Sequence, residues 1–115
     1  MPAPDIRIVG GGLAGCEAAL QLARRGRAVT LHEMRPAVPT PAHQSDRLAE
    51  IVCSNSFKST DPATGSGLLK DELDRLDCQL LAIAREHRVP AGAALAIDRE
   101  RFAAAVQARV ETEPL

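Results

Sequence analysis

The 115-residue chain has no tryptophan or tyrosine and only two phenylalanines, which leaves little aromatic surface on which nucleic-acid bases could stack. Charge of one sign is also missing. Fourteen Lys and Arg face fifteen Asp and Glu, for a net charge of −1, so there is no broad positive footprint for a polyanion. Any RNA contact would need surface that these residues do not supply. No apolar run approaches the length that spans a bilayer. Met1 to Asp5 lacks the charged start and apolar core of a signal peptide, and the expectation is a cytoplasmic protein with no membrane partner. The three cysteines, Cys16, Cys53 and Cys78, form no C-x-x-C pair and no ligand spacing with His32, His43 or His87. Neither a metal site nor a disulfide framework is expected.

What is present is an ordinary globular composition, 45% hydrophobic and 25% charged, enough for one small domain. The organising stretch is Ile6 to Glu33, IRIVGGGLAGCEAALQLARRGRAVTLHE, which reads as strand, glycine turn, helix and second strand. Gly10, Gly12 and Gly15 have the G-x-G-x-x-G spacing. The first allows a tight turn, the second allows backbone to approach a pyrophosphate, and the third allows close helix–strand packing. Gly26 ends the helix, and Val29 and Leu31 alternate into Glu33. This is the pattern of a dinucleotide cradle, in which phosphates sit on the open N–H groups of a helix start and Glu33 accepts from a ribose hydroxyl. The same turn can also exist without a ligand. A carboxylate at position 33 disfavours a 2′-phosphate and hence NADP, Arg35 nearby weakens that argument, and the stretch does not choose between NAD and FAD.

From Met34 to Gly67 the periodicity fades and Pro36, Pro39, Pro41 and Pro62 appear. A loop of this length inside a domain is often functional. The apolar group Leu48, Ala49, Ile51 and Val52 could form one or two helical turns starting near Ser45 or Asp46. Leu69, Leu73, Leu76, Leu80 and Ile83 then fall at steps of four and three, which predicts one amphipathic helix over about 66–87. Pro90 and Gly92 end it, Ala94 to Ile97 suits a short strand, and Asp98 suits the N-cap of a final helix over about 98–112 carrying Phe102, Val106 and Val110. The expected fold class is α/β, a Rossmann-like FAD/NAD(P)-binding βαβ unit with a parallel sheet. That sheet would be incomplete, because two firm strands and one weak one bury too little apolar surface. Residues 1–115 are therefore expected to be the N-terminal part of a longer protein whose Rossmann-like domain continues beyond them.

GGGLAG at Gly10–Gly15, EMRP at Glu33–Pro36, TPAH at Thr40–His43, CSNS at Cys53–Ser56, GLLKDEL at Gly67–Leu73 and PAGAALAIDRERF at Pro90–Phe102 carry a family resemblance. Together they resemble the start of the TrmFO family of folate- and FAD-dependent tRNA uracil-5-methyltransferases. The first motif is shared with many flavoproteins, including the wobble-uridine-modifying MnmG type, whereas EMRP, TPAH and CSNS in that order are more specific. The resemblance implies an enzyme that reduces FAD with NAD(P)H, takes the one-carbon unit of methylenetetrahydrofolate and delivers it as a methyl group to C5 of a T-loop uridine in tRNA. It further implies that Gly10, Gly11, Gly12, Leu13, Ala14 and Gly15 hold the FAD diphosphate and that Glu33 holds the adenosine ribose. Most of the folate and tRNA surface would lie outside these residues. An MnmG-like flavoprotein and a catalytically inert dinucleotide-binding fragment remain as alternative readings.

Cys53 is the candidate for covalent chemistry, since methylation at uracil C5 usually needs a thiolate or equivalent to attack C6. A packed, inert thiol is the competing reading, as Cys53 directly follows Ile51-Val52. Cys16 reads as filler in the first helix, and Cys78 lies off the leucine stripe with no evident partner. His43 reads as a solvent-facing loop histidine, and Ser54, Asn55 and Ser56 as turn formers that could also donate to a cofactor. Asp98 and Arg99 read as a cap and a surface charge. Arg24, Arg25 and Arg27 suit a helix C-terminus better than a phosphate patch.

Overall fold

The computed structural model describes residues 5–52 and 54–112. Strand β1 (Ile6–Val9), helix α1 (Leu13–Arg24) and strand β2 (Val29–His32) come first. β1 and β2 pair in parallel, with Ile6 opposite Val29 and Val9 opposite His32. The connection between them is helical, as a parallel crossover requires. Helix α1 buries Cys16, Ala19 and Leu20, the stripe at spacings of three and four that periodicity anticipates.

The rest of the chain builds a second layer: β3 (Ser56–Ser59), α2 (Gly65–Arg75), α3 (Gln79–Glu86), β4 (Arg88–Val89), β5 (Ala94–Ile97) and α4 (Arg99–Thr112). Ala94–Ile97 is a strand as expected, but it does not extend the parallel sheet. It lies between β3 and β4 in a separate sheet and runs antiparallel to both. The short hairpin-like return at Pro90–Gly92 favours that arrangement, because a parallel neighbour would need a long crossover. β3 lies inside the stretch that reads as loop. Its pairing is irregular between Ser56 and Ser59, and Lys58 has φ +69°, so it lacks clean alternation.

One core serves both layers. Cys16 and Leu20 from α1, Ala49 and Ile51 from the long loop, Leu80, Leu81, Ile83 and Ala84 from α3, Leu95 and Ile97 from β5, and Phe102 and Val106 from α4 form a single buried cluster. The chain's two phenylalanines meet in it. The rings of Phe57 and Phe102 pack edge to face, 5.8 Å apart and at 86°, a geometry that aligns a ring edge with a π-face.

The leucine pattern over 66–87 belongs to two helices, not one. After Arg75 the chain turns through Leu76, Asp77 and Cys78. Asp77 has φ +59°, its N–H bonds to Asp74 O at 3.0 Å and the Cys78 N–H reaches Leu73 O at 3.0 Å. This is the Schellman arrangement that ends a helix, built on Asp where Gly is usual, so residue type alone did not mark it. The break leaves Leu76 70% exposed while Leu80 is buried. No helix forms near Ser45 or Asp46, where the chain runs as successive turns. The final helix begins after Asp98, whose Oδ1 accepts the Arg101 N–H at 3.1 Å, as its cap reading requires.

Helix α3 has no side-chain cap of its own, and Glu17 of α1 supplies one. Glu17 Oε1 accepts the Leu80 N–H at 2.9 Å and the Cys78 thiol at 2.9 Å, while Oε2 accepts the Gln79 N–H at 3.1 Å and the Gln21 amide at 2.9 Å. Cys78 thus has a partner that spacing did not reveal. Partial burial raises the Glu17 pKa, but the Cys78, Leu80, Gln21 and Gln79 bonds outweigh it and hold the carboxyl below its usual value. Because its folded pKa is depressed, the Glu17 contribution to stability is present above the unfolded pKa and is lost as pH falls through the folded one. Glu17→Ala is expected to cost about 1–2 kcal/mol near neutral pH. In urea unfolding, the gap between parent and variant should close below about pH 4. A gap that does not change with pH would argue against the cap.

Candidate functional site

The glycine turn continues the β1–β2 ladder. Gly10, at φ +104°, donates its N–H to His32 O at 2.7 Å. The next residue is held by both its backbone groups: the Gly11 N–H donates to Glu33 Oε1 at 3.1 Å, and the Gly11 carbonyl accepts the Ala49 N–H at 2.8 Å and the Cys16 thiol at 3.4 Å. Gly12 caps α1 without a side-chain bond, and no acidic residue lies in the first turn. The N–H groups of Leu13, Ala14 and Gly15 therefore open the helix with no intrahelical acceptor. Gly12, Leu13 and Ala14 are exposed, and a Cβ on Gly12 would meet nothing within 4 Å. This open row of donors at a positive helix end suits an anion.

Glu33 directly follows β2 and leans over the turn. Its Oε1 takes the Gly11 N–H; its Oε2 takes the Arg35 N–H at 2.9 Å and the Arg35 Nε at 2.8 Å. The Arg35 N–H, and then the Gly11 N–H and the guanidinium, hold the Glu33 pKa below its usual value against the opposing effect of burial. A carboxylate offers about four acceptor positions, so one remains open, on Oε1. The Arg35 side chain is 3% exposed and that of Glu33 16%. A guanidinium so enclosed is not available to an incoming 2′-phosphate.

Similarity to known proteins bears on this geometry. The glucose inhibited division protein A family matches residues 5–115. The chain belongs to that family. Its domain is FAD-binding and Rossmann-like, in agreement with the parallel βαβ unit found here. Among curated relatives, a protein of Solibacter usitatus named methylenetetrahydrofolate--tRNA-(uracil-5-)-methyltransferase TrmFO is 64% identical over 96% of this chain and 25% of its own length. Identically named proteins of Dictyoglomus thermophilum and Bacillus subtilis are 61% and 53% identical, over 89% and 95% of this chain and 23% and 25% of theirs. The chain thus spans about a quarter of the length of these relatives.

In this member of the glucose inhibited division protein A family, the structure brings together Gly10–Gly15 and Glu33. It also adds residues whose role the sequence did not show. Arg35 and the Leu48-Ala49 pair were visible only as a charge and an apolar interruption, yet Arg35 holds Glu33 and the pair closes on Gly11. Cys53 lies outside the described residues. Cys16 and Cys78 are poor nucleophiles, since burial, and for Cys78 also the Glu17 bond, pushes each thiol up to about 11. His43 is tied to Thr40, with Nδ1 2.5 Å from the hydroxyl. Ser54 and Ser56 accept the Ser56 and Lys58 N–H groups respectively, so both serve the turn. Arg24 pairs with Asp77 at 2.8 Å and Arg25 bonds Gln21, which uses two of the three clustered arginines within the fold. No helix among the described residues is long and apolar enough to cross a membrane.

The turn makes a graded prediction. A Cβ on Gly15 would stand 1.9 Å from the Gly10 carbonyl oxygen, whereas one on Gly11 would stand 2.5 Å from the movable end of Leu48. Gly15→Ala must displace backbone and is expected to cost about 3 kcal/mol or more. Gly12→Ala, with open space around it, should cost under about 1 kcal/mol in the ligand-free protein. Denaturant unfolding of the two variants checks the order, and equal losses would contradict the packing described.

Proposed function

We propose that residues 5–112 form the FAD-binding start of a cytoplasmic, methylenetetrahydrofolate-dependent tRNA uracil-5-methyltransferase. The observation that carries the reading is the row of free N–H groups at Leu13, Ala14 and Gly15 beside a carboxylate with one open acceptor. A diphosphate and a ribose hydroxyl need those two things at that proximity. Gly10, Gly11, Gly12, Leu13, Ala14 and Gly15 would hold the FAD diphosphate and Glu33 the adenosine ribose. The family's FAD-binding domain and the names of the relatives support the choice of coenzyme and reaction.

When bound, FAD supplies the electrons, drawn from NAD(P)H, that turn the one-carbon unit of methylenetetrahydrofolate into a methyl group. The chain's own residues bind and orient. The dipole of α1 neutralises part of the diphosphate charge, and Glu33 selects a free ribose over a 2′-phosphorylated one. Cys53 is proposed as the thiol that attacks uridine C6, the two other cysteines being held protonated, Cys16 by burial and Cys78 by partial burial and its bond to Glu17. Residues outside this chain would supply most of the folate and tRNA surface.

The test uses the full-length protein. Heat-released coenzyme identified by mass should be FAD at close to one per chain, and tRNA methylation should require methylenetetrahydrofolate. Cys53→Ala should keep its FAD and lose methylation by a factor of about 100 or more. A variant that methylates at the parent rate removes Cys53 from the mechanism, and a parent protein without flavin removes the coenzyme reading.

A further inference from the structure

We infer that Arg35 is the positioning residue of the adenosine half of this site, acting through Glu33 and through the loop that covers the glycine turn. The inference rests on the coenzyme reading above and adds to it the group that holds the ribose acceptor in place. Arg35 is buried, and three of the five N–H groups of its fork bond within one neighbourhood. Nε bonds Glu33 Oε2 at 2.8 Å, Nη1 bonds the Ser45 carbonyl at 2.8 Å, and Nη2 bonds the Arg47 carbonyl at 3.0 Å. One planar group therefore fixes both the carboxylate and the backbone on the far side of a ten-residue excursion.

The consequence runs along the chain from there. With the Ser45 and Arg47 carbonyls held, the next two residues fall on the turn: the Leu48 N–H meets Gln107 Oε1 of α4 at 3.1 Å, and the Ala49 N–H meets the Gly11 carbonyl at 2.8 Å. Glu33 is held at the same time with Oε2 saturated and Oε1 facing Gly11. A freely rotating glutamate could present either oxygen, and a ribose would have to order it on binding. Arg35 removes that freedom before the ligand arrives. Lysine cannot replace it, because an ammonium is a point donor and does not span a carboxylate and two carbonyls in one plane.

The test compares two flavins that share the isoalloxazine and differ in the adenosine half, FAD and FMN. Affinities are measured by fluorescence titration of the deflavinated full-length protein and of its Arg35→Lys, Glu33→Gln and double variants, with ligand-free melting recorded alongside. Arg35→Lys should weaken FAD by about tenfold or more, equivalent to about 1.4 kcal/mol, and change FMN by less than about twofold. The double variant should lose clearly less FAD affinity than the two single losses combined, because part of the Arg35 effect runs through Glu33. The role is overturned if Arg35→Lys binds FAD as the parent does, if it loses FMN in the same proportion, or if the two losses add. General unfolding would appear as the proportional loss. A parent protein with no preference for FAD over FMN overturns the coenzyme reading, and this is seen before any substitution is made. Arg35→Met, which cannot bond at all, should lose FAD more than Arg35→Lys; the reverse order also overturns the role.

Discussion

The backbone of Gly11, held at both its N–H and its carbonyl, ties the βαβ unit to the long loop that covers the glycine turn. Its N–H is held by a carboxylate at the end of β2, and its carbonyl by a backbone N–H from a loop nearly forty positions later. A polar group buried in this way is costly unless paired, and here both ends are paired across long sequence separation. Everything near the site follows from it. The turn cannot flatten, the helix start stays open, and the loop over 34–52 is brought down onto the strand tips without any regular structure of its own.

That dependence explains which parts of the architecture were legible in the residues. The βαβ unit was, because its information is local: glycines at fixed spacing, an apolar stripe at a helical period and alternation into Glu33. The Asp98 cap was legible for the same reason. The break at Leu76–Cys78 was not, because the leucine steps continue through it and the left-handed residue is Asp77. The strand at Ser56–Ser59 was hidden by Ser and Lys in an irregular ladder, and the direction of Ala94–Ile97 depends on partners that no window of sequence contains.

The candidate site divides in the same manner. Gly10–Gly15 and Glu33 could be named from spacing. Arg35 could be seen but not interpreted, since its three bonds go to a side chain two residues away and to two carbonyls ten and twelve positions on. Its inward orientation, with the side chain 3% exposed, was likewise not readable from its position in the sequence. Glu17 lay in plain view as one helical residue among many, and its role as the cap of another helix exists only in the folded arrangement.

Helix α1 is thereby braced along its length. Gly15 abuts the Gly10 carbonyl at one end, Glu17 grips the beginning of α3 two residues later, and Arg24 holds Asp77 near the other end. Sliding or tilting it would strain all three contacts together, so the seat it presents is rigid before any guest arrives. A rigid seat makes capture a docking event with small entropic loss in the receptor, and it shifts the adjustments that binding requires onto the guest and onto whatever surface closes over it.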